Sequence, residues 1–407
     1  MKYAVLIGDG MAGRPIKALG NRTCLQKAHT PNMDRLAREG QVGWAQTIPP
    51  GYEPGSDVAN LAILGYNPSQ YYSGRAPIEA AYQGIRLGPK DVAYRCNVVN
   101  MAFGNDAGID NSRMVDYSAG HITTSESRKL ITFVNDRLGS KEIRFYPGVS
   151  YRHLMVWKNG REKIKCTPPH DITGRKIKGY LPVGTGSSVL YALMSRSHEI
   201  LTGHSVNMAR AEKGLATANC IWLWGQGRKL VIPKFKNKYG LRGALISAVD
   251  LTKGLGVCAG FDVLNIKGAT GYIDTNYKGK AEAALRSLKK CDFVYVHVEA
   301  PDEAGHNGSI NDKIRAIQDF DLKVVGPVLE GLKKFGDYRV LVMPDHFTPI
   351  SVRTHTSDPV PFAIYSSNRQ AEQKSGAKSY SENICKMKTA MKFVKGHKLM
   401  DYFLQKK

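Results

Sequence analysis

The 407-residue sequence contains no run of 18 apolar residues, so it offers no candidate for a membrane-spanning helix. Met1-Lys2 leads straight into a short strand pattern without an extended apolar region or a cleavage site, and no signal peptide is expected. No C-x-x-C pair occurs: the seven cysteines, an odd number, stand singly at positions 24, 96, 166, 220, 258, 291 and 385. That spacing argues against a disulfide framework and predicts a reduced, cytoplasmic setting. A G-x-x-x-x-G-K-[ST] phosphate loop is also missing, and Gly184-Thr185-Gly186-Ser187-Ser188 reads instead as a helix start. Internal repeats and low-complexity segments are absent. Negative charge is scarce, with 35 Asp and Glu against 58 Lys and Arg and a formal charge of +23. The basic excess is spread through the middle and the tail, with no aromatic-interleaved basic motif. Neither nucleic acid nor membrane is therefore the expected partner, whereas a small acidic substrate fits the charge; the sequence does not specify an oligomeric state.

What is present is a dispersed set of side chains able to hold two metal ions: Asp9, Ser56, Asp302, His306, Asp345, His346 and His355. Asp9 ends the apolar run Ala4-Val5-Leu6-Ile7, bounded by Gly8 and Gly10, which reads as a strand buried on both faces. Asp302 follows the second such run, Phe293-Val294-Tyr295-Val296-His297-Val298, and Asp345-His346 follows a third, Val340-Leu341-Val342-Met343. Ligands in open α/β sheets bind beyond the carboxyl ends of the strands, so these acids should converge. Asp302-x-x-x-His306 places two ligands one helical turn apart. Carboxylate and imidazole donors suit Mn, Zn, Co or Mg rather than a thiolate metal. Ser56 follows the turn-rich Gly51-Tyr-Glu-Pro-Gly55 and precedes Val58-Ala59-Asn60-Leu61-Ala62-Ile63-Leu64, which reads as a buried helix. It is either a plain N-cap or, with metals nearby to lower its hydroxyl pKa, a nucleophile at a helix N-terminus that favours phosphate.

Strand, ligand loop and amphipathic helix recur at both ends of the sequence. Thr30-Pro31 predicts a helix start, and Ser309 with Asp312 predicts another that runs to Gly336. From about Lys90 to Gly243 the pattern changes to short strands, such as Met155-Val156-Trp157 and Ile221-Trp222-Leu223-Trp224. Ligands lie on both sides of this stretch. The expected architecture is thus an α/β catalytic domain, a parallel sheet flanked by helices over residues 1–85 and 245–407, interrupted by a smaller inserted α+β domain over 86–244.

The chain resembles the archaeal-type, cofactor-independent phosphoglycerate mutases of the alkaline phosphatase superfamily. The stretches that carry the likeness are Leu6-Ile-Gly-Asp9-Gly-Met-Ala, His29-Thr-Pro-Asn-Met-Asp34, Gly55-Ser56-Asp57-Val-Ala-Asn60 with Leu64-Gly-Tyr-Asn-Pro68, Gly74-Arg75-Ala-Pro77, Ala93-Tyr-Arg95-Cys-Asn97, Ile221-Trp-Leu-Trp-Gly225, Ile246-Ser-Ala-Val-Asp250, Asp302-Glu-Ala-Gly-His306 and Pro344-Asp345-His346. The resemblance implies that Asp9, Ser56, Asp345 and His346 hold one ion and Asp302, His306 and His355 the other, manganese being expected. It implies that Ser56 takes the phosphoryl group from 3-phosphoglycerate and returns it to the 2-hydroxyl, with no need of 2,3-bisphosphoglycerate. It also implies substrate contacts from Arg75, Arg95, Arg152, Asn207 and Arg210, arginine forks being suited to phosphate and carboxylate, and proton handling by His170 and Asp171. One segment departs from the family pattern: Asp116-Tyr117-Ser118-Ala119-Gly120-His121 stands where those mutases tend to carry Asp-Arg-Arg-Ala-Gly-Arg. This keeps open a different phosphoryl acceptor, as in a bacterial branch for which homoserine kinase activity has been proposed, or a phosphomonoester hydrolase.

Overall fold

The computed structural model describes residues 1–104, 108–368 and 375–405. The chain divides into two compact units, one formed by Met1–Tyr72 with Val231–Lys407 and the other by Ser73–Leu230.

The first unit is built on a mixed sheet of eight strands. Its central strand is Lys2–Gly8, which pairs in parallel with Phe293–Val298 on one side and Tyr338–Met343 on the other. The parallel run continues through Gly243–Ile246 to Asp262–Leu264. Past Tyr338–Met343, Val360–Ser366 turns antiparallel and leads to Gln41–Ala45 and Met391–Phe393. Phe293–Val298 and Tyr338–Met343 are buried along their whole lengths, as expected for strands covered on both faces. Leu6, Val296, Val340, Met33, Phe320 and Val324 share one core beneath the flanking helices.

The helix Pro31–Glu39 starts where Thr30-Pro31 predicts, but Thr30 makes no side-chain cap. Its orphan N–H groups are satisfied from a distance: Asp321 accepts from Met33 N at 2.7 Å and from Asn32 N at 3.2 Å. Ser309 does cap its helix, accepting from Asp312 N. That helical run reaches Gly336 by way of a π-helical turn over Asp321–Val325. The extra residue lies just ahead of Gly326-Pro327, where proline supplies no N–H and crowds the preceding turn.

The second unit is α+β, with a five-stranded sheet. Its longest member, Val92–Ala102, pairs antiparallel with Arg113–Asp116, Arg152–Trp157 and Cys220–Arg228, and Arg152–Trp157 also pairs with Ile143–Val149. The helices Thr124–Leu138 and Ser187–Thr202 pack on it around Trp222, Val98 and Leu190. Thr124–Leu138 opens with a capping box of Thr123 and Glu126. The units change over at Tyr72/Ser73 and Leu230/Val231, ahead of the boundaries expected near 85 and 245. Side-chain packing accounts for both shifts. Helix Ala76–Tyr82 buries Ala76 and Ala80 against Ala93 and Leu154 of the second unit. Phe235–Tyr239 belongs with the first, where Tyr239 OH donates to Asp401 Oδ1 at 2.8 Å and Tyr66 OH donates to Pro233 O at 2.8 Å.

Candidate active site

The first unit brings all seven ligand-type residues to the carboxyl edge of its parallel strands. Asp9 leaves the end of Lys2–Gly8, and Gly10 behind it turns the chain with φ +56°. A side chain at Gly10 would collide with the Thr348 hydroxyl and the Asp302 carboxylate, so glycine meets both a left-handed and a steric demand. Asp302 and His306 lie one turn apart on the helix Ala300–His306, which follows Phe293–Val298. Asp345 and His346 come directly after Tyr338–Met343.

Ser56 opens the helix Ser56–Ile63, but the N-cap is Gly55 and no side chain caps that end. The Ser56 hydroxyl is thus not spent on capping and sits 3.0 Å from His346 Nε2. Around that nitrogen stand Asp9 Oδ1 at 3.4 Å and Asp345 Oδ2 at 3.6 Å. A second set surrounds Asp302, whose Oδ2 lies 3.1 Å from His306 Nε2 and whose Oδ1 lies 3.5 Å from His355 Nε2. Donor atoms of Asp9, Asp345 and His346 fall within 4.8 Å of one another, and so do those of Asp302, His346 and His355. His346 therefore stands between the groups, whereas the resemblance implied only the Asp9 group.

Three buried carboxylates this close repel one another. Burial, with the Asp345 and Asp302 charges, holds the Asp9 carboxyl well above its usual range. Burial also works against Asp302, but the facing imidazoles of His306 and His355 outweigh it and hold Asp302 well below the carboxylate range. His306 is pushed up to about 9: burial opposes the charge, and Asp302 more than compensates. His346 is lowered to about 4, chiefly by burial and against the pull of Asp345.

Two features fit this donor set to divalent cations. Asp9 Oδ1 is buried and has no hydrogen-bond partner. The Nε2 atoms of His306 and His355 face each other at 3.0 Å, while their Nδ1 atoms face the Arg353 and Pro54 carbonyls at 3.0 and 3.3 Å. A carbonyl only accepts, so each Nδ1 carries a proton and the two Nε2 atoms are left turned on one another and on Asp302, with the raised His306 pKa keeping a further proton there. A cation among them would take the place of that proton and meet both Nε2 lone pairs and the Asp302 carboxylate.

A supporting layer escaped the sequence reading. Asn60, one turn after Ser56, donates to Asp345 Oδ2 at 2.8 Å. The fully buried His297 stands 3.6 Å from both Asp9 Oδ2 and Asp345 Oδ2, with its Nδ1 3.3 Å from Glu299 Oε1. Lys280 Nζ pairs with Glu299 Oε2 at 2.6 Å and donates to His297 O at 2.9 Å. The one signal available was polar residues inside otherwise apolar runs, His297 in a strand and Asn60 in a buried helix.

The remaining candidates belong to the second unit. Arg95 donates through Nε to Glu79 at 3.1 Å and lies 4.5 Å over the Trp224 ring. Burial lowers the Arg95 pKa to about 10, and the Arg75 and Arg152 charges add to that shift against Glu79. Gly225 lies against the side chains of both Arg75 and Arg95. Arg152 stacks on Tyr151 at 5.0 Å. The His170 ring stands 5.2 Å from Trp224 and 6.0 Å from Tyr117, and its contact with Asp171 is a half-exposed one of 3.6 Å. Tyr117 and His121, from the departing segment, face Tyr151 at 5.6 and 6.2 Å.

Asn207 and Arg210 differ from the expectation. The Asn207 amide is taken up by the backbone of Leu201 and Ala218. Arg210 is buried and donates to Ala216 O, Glu126 Oε2 and Ala119 O at 2.7, 3.0 and 2.9 Å. These two side chains brace the second unit internally, leaving Arg75, Arg95 and Arg152 as the arginine candidates not so engaged with its backbone.

Residues 37–207 match the sequence profile of a family described as 2,3-bisphosphoglycerate-independent phosphoglycerate mutase. A relative in Geobacter sulfurreducens, described as a probable enzyme of that name, is 50% identical over 406 residues, covering 100% of each chain. The mutase of Methanosarcina barkeri is 50% identical over 409 residues, again covering 100% of both. Among solved structures, a cofactor-independent phosphoglycerate mutase from Thermoplasma acidophilum superposes with a TM-score of 0.63 at 26% identity, covering 100% of this chain and 99% of that one.

Proposed function

Since the chain belongs to the 2,3-bisphosphoglycerate-independent phosphoglycerate mutase family, we propose that it interconverts 3-phosphoglycerate and 2-phosphoglycerate through a phosphorylated Ser56. The observation that carries this reading is the Ser56 hydroxyl, uncommitted to capping and 3.0 Å from His346 Nε2 amid the gathered ligand set. Ser56 Oγ attacks phosphorus as the bond to the 3-oxygen breaks, and the glycerate keeps that oxygen. The 2-hydroxyl oxygen then attacks the phosphoserine, and Ser56 Oγ leaves. Asp9, Ser56, Asp345 and His346 would hold one divalent ion and Asp302, His306 and His355 the other. Ions so held would lower the serine hydroxyl pKa and offset phosphate charge. The imidazole share of the donors favours manganese, cobalt or zinc over magnesium. Arg75, Arg95 and Arg152 hold the acid group of the glycerate, since one carboxylate, Glu79, leaves three guanidinium groups in charge excess. His170 and Asp171 are the candidates for moving protons at the glycerate hydroxyls.

Tyr117 and His121 favour a second reading, because they place rings rather than guanidinium groups against Tyr151, the ring on which Arg152 stacks. That reading is transfer to another acceptor or to water. Phosphorus NMR of the protein with manganese and 3-phosphoglycerate separates the two. A 2-phosphoglycerate resonance is expected; inorganic phosphate alone, or an unchanged spectrum, refutes the mutase reading.

A further inference from the structure

Between the two ligand groups stands one hydroxyl that belongs to neither. Thr348 is fully buried, two residues beyond His346 on the loop after Tyr338–Met343. Its Oγ1 lies 3.3 Å from His346 Nδ1 and hydrogen-bonds Asp302 Oδ1. The direction of this chain follows from its ends. His346 Nε2 is the nitrogen turned toward Ser56, Asp9 and Asp345, so its lone pair is the one available to a cation and the proton resides on Nδ1. Nδ1–H then donates to Thr348 Oγ1, and the Thr348 proton goes to the Asp302 carboxylate, which only accepts.

The hydroxyl is held rather than merely adjacent. Lys313, 1% exposed, donates through Nζ to Thr348 O at 2.5 Å and to Gly10 O at 2.7 Å. One ammonium thus ties the loop bearing Asp345 and His346 to the turn bearing Asp9. The Thr348 methyl packs toward Gly305 on the helix of Asp302 and His306, where an added Cβ would meet it at 2.9 Å.

We propose that the Thr348 hydroxyl couples the two cation positions, its hydrogen bonds from His346 and to Asp302 making occupancy of either one organise the ligands of the other. Thr348 is in this sense a positioning residue, acting through His346 and Asp302. A cation on His346 Nε2 makes Nδ1–H a stronger donor, which polarises the Thr348 O–H toward Asp302 and fixes that carboxylate. Linkage requires the same coupling in the reverse direction. The inference rests on the reading that this site holds two divalent ions.

The test is manganese titration of the metal-free full-length protein, followed by calorimetry and by electron paramagnetic resonance. Thr348→Val keeps the methyl and removes the hydroxyl; Thr348→Ser does the reverse. In Thr348→Val the weaker stepwise constant should fall about 10–100-fold, the range for losing a partner behind a metal ligand. The spectrum at one equivalent should shift from spin-coupled pairs toward isolated ions, and Thr348→Ser should restore the parental pattern. Stepwise constants of Thr348→Val within threefold of the parent overturn the proposal. So does a Thr348→Ser variant as impaired as Thr348→Val, which would assign the effect to methyl packing. If Thr348→Val does not fold without metal, Thr348→Ser against Thr348→Ala decides by the same readouts. A parent that binds fewer than two ions removes the two-metal reading itself and this proposal with it; a parent that binds two with an unchanged Thr348→Val removes only the proposal.

Discussion

Ser56→Ala separates chemistry from folding. The Ser56 side chain does not cap its helix, so the usual cost of about 0.5–2 kcal/mol for losing an N-cap does not apply. Among the described residues its side-chain hydrogen-bond contact is the 3.0 Å approach to His346 Nε2, whose loss is worth about 0.5–1.5 kcal/mol. Alanine regains roughly 0.5 kcal/mol as the better helix former. The net change should stay within about 1 kcal/mol, a melting shift of only a few degrees. Losing a nucleophile, by contrast, should cost on the order of 10⁴-fold or more in turnover, equivalent to over about 5 kcal/mol of barrier. Thermal unfolding and a coupled assay for 2-phosphoglycerate measure the two quantities on one preparation. Intact-mass spectra after incubation with 3-phosphoglycerate should show one added phosphoryl group on the parent and none on the variant. A melting point unchanged, metals bound, and turnover within tenfold of the parent would refute Ser56 as the nucleophile.

Four further outcomes are expected. Asp302→Ala removes the carboxylate facing both His306 and His355 and should weaken manganese binding by more than about 100-fold by calorimetry, beyond the loss from an outer partner alone. Metal affinity should rise with pH, because metal-free His306 titrates near 9 and the ion must displace its proton. Between pH 7 and 9 the logarithm of the binding constant at that position should gain about one unit per pH unit and then flatten; a pH-independent constant contradicts the assignment of His306. Gly10→Ala combines a left-handed residue with a collision against Asp302 and Thr348, and should destabilise the metal-free protein by about 2–4 kcal/mol in urea unfolding while lowering metal affinity. Arg210→Ala strips donors from two carbonyls and Glu126 and should lower stability by about 2–4 kcal/mol. A change in the product ratio at unaltered stability would restore Arg210 as a substrate contact.

Asp9, Asp302, Asp345 and His346 were legible as candidate ligands because each comes soon after a largely apolar strand, and strand direction alone sends such residues to one edge; His355, in the loop before Val360–Ser366, carried no such signal. Lys2–Gly8, Phe293–Val298 and Tyr338–Met343 gave that signal without ambiguity. The assignment of His346 to one group was less visible, since a ring between two carboxylate sets is defined by distances across three loops. Arg210 and Asn207 misled for a related reason. A guanidinium or amide has the same donors whether it meets a ligand or a turn carbonyl, and only the fold reveals that Ala119, Ala216, Leu201 and Ala218 had claimed them. Asp321 as the distant cap of Pro31–Glu39 was similarly hidden, donor and acceptor standing 288 positions apart.

The central position of Lys2–Gly8 carries a consequence for biosynthesis. Both of its sheet neighbours, Phe293–Val298 and Tyr338–Met343, emerge from the ribosome long after it does. At roughly 5–20 residues per second, the first strand waits about 15–70 s before its second flank exists. Ser73–Leu230, contiguous in sequence and with its own core, can close in the meantime. During that interval the nascent chain carries an unpaired apolar strand with both edges open, a surface that invites chaperones or aggregation. Any ion taken up by the proposed ligand set would have to arrive late, since His355 must be synthesised before that set is complete.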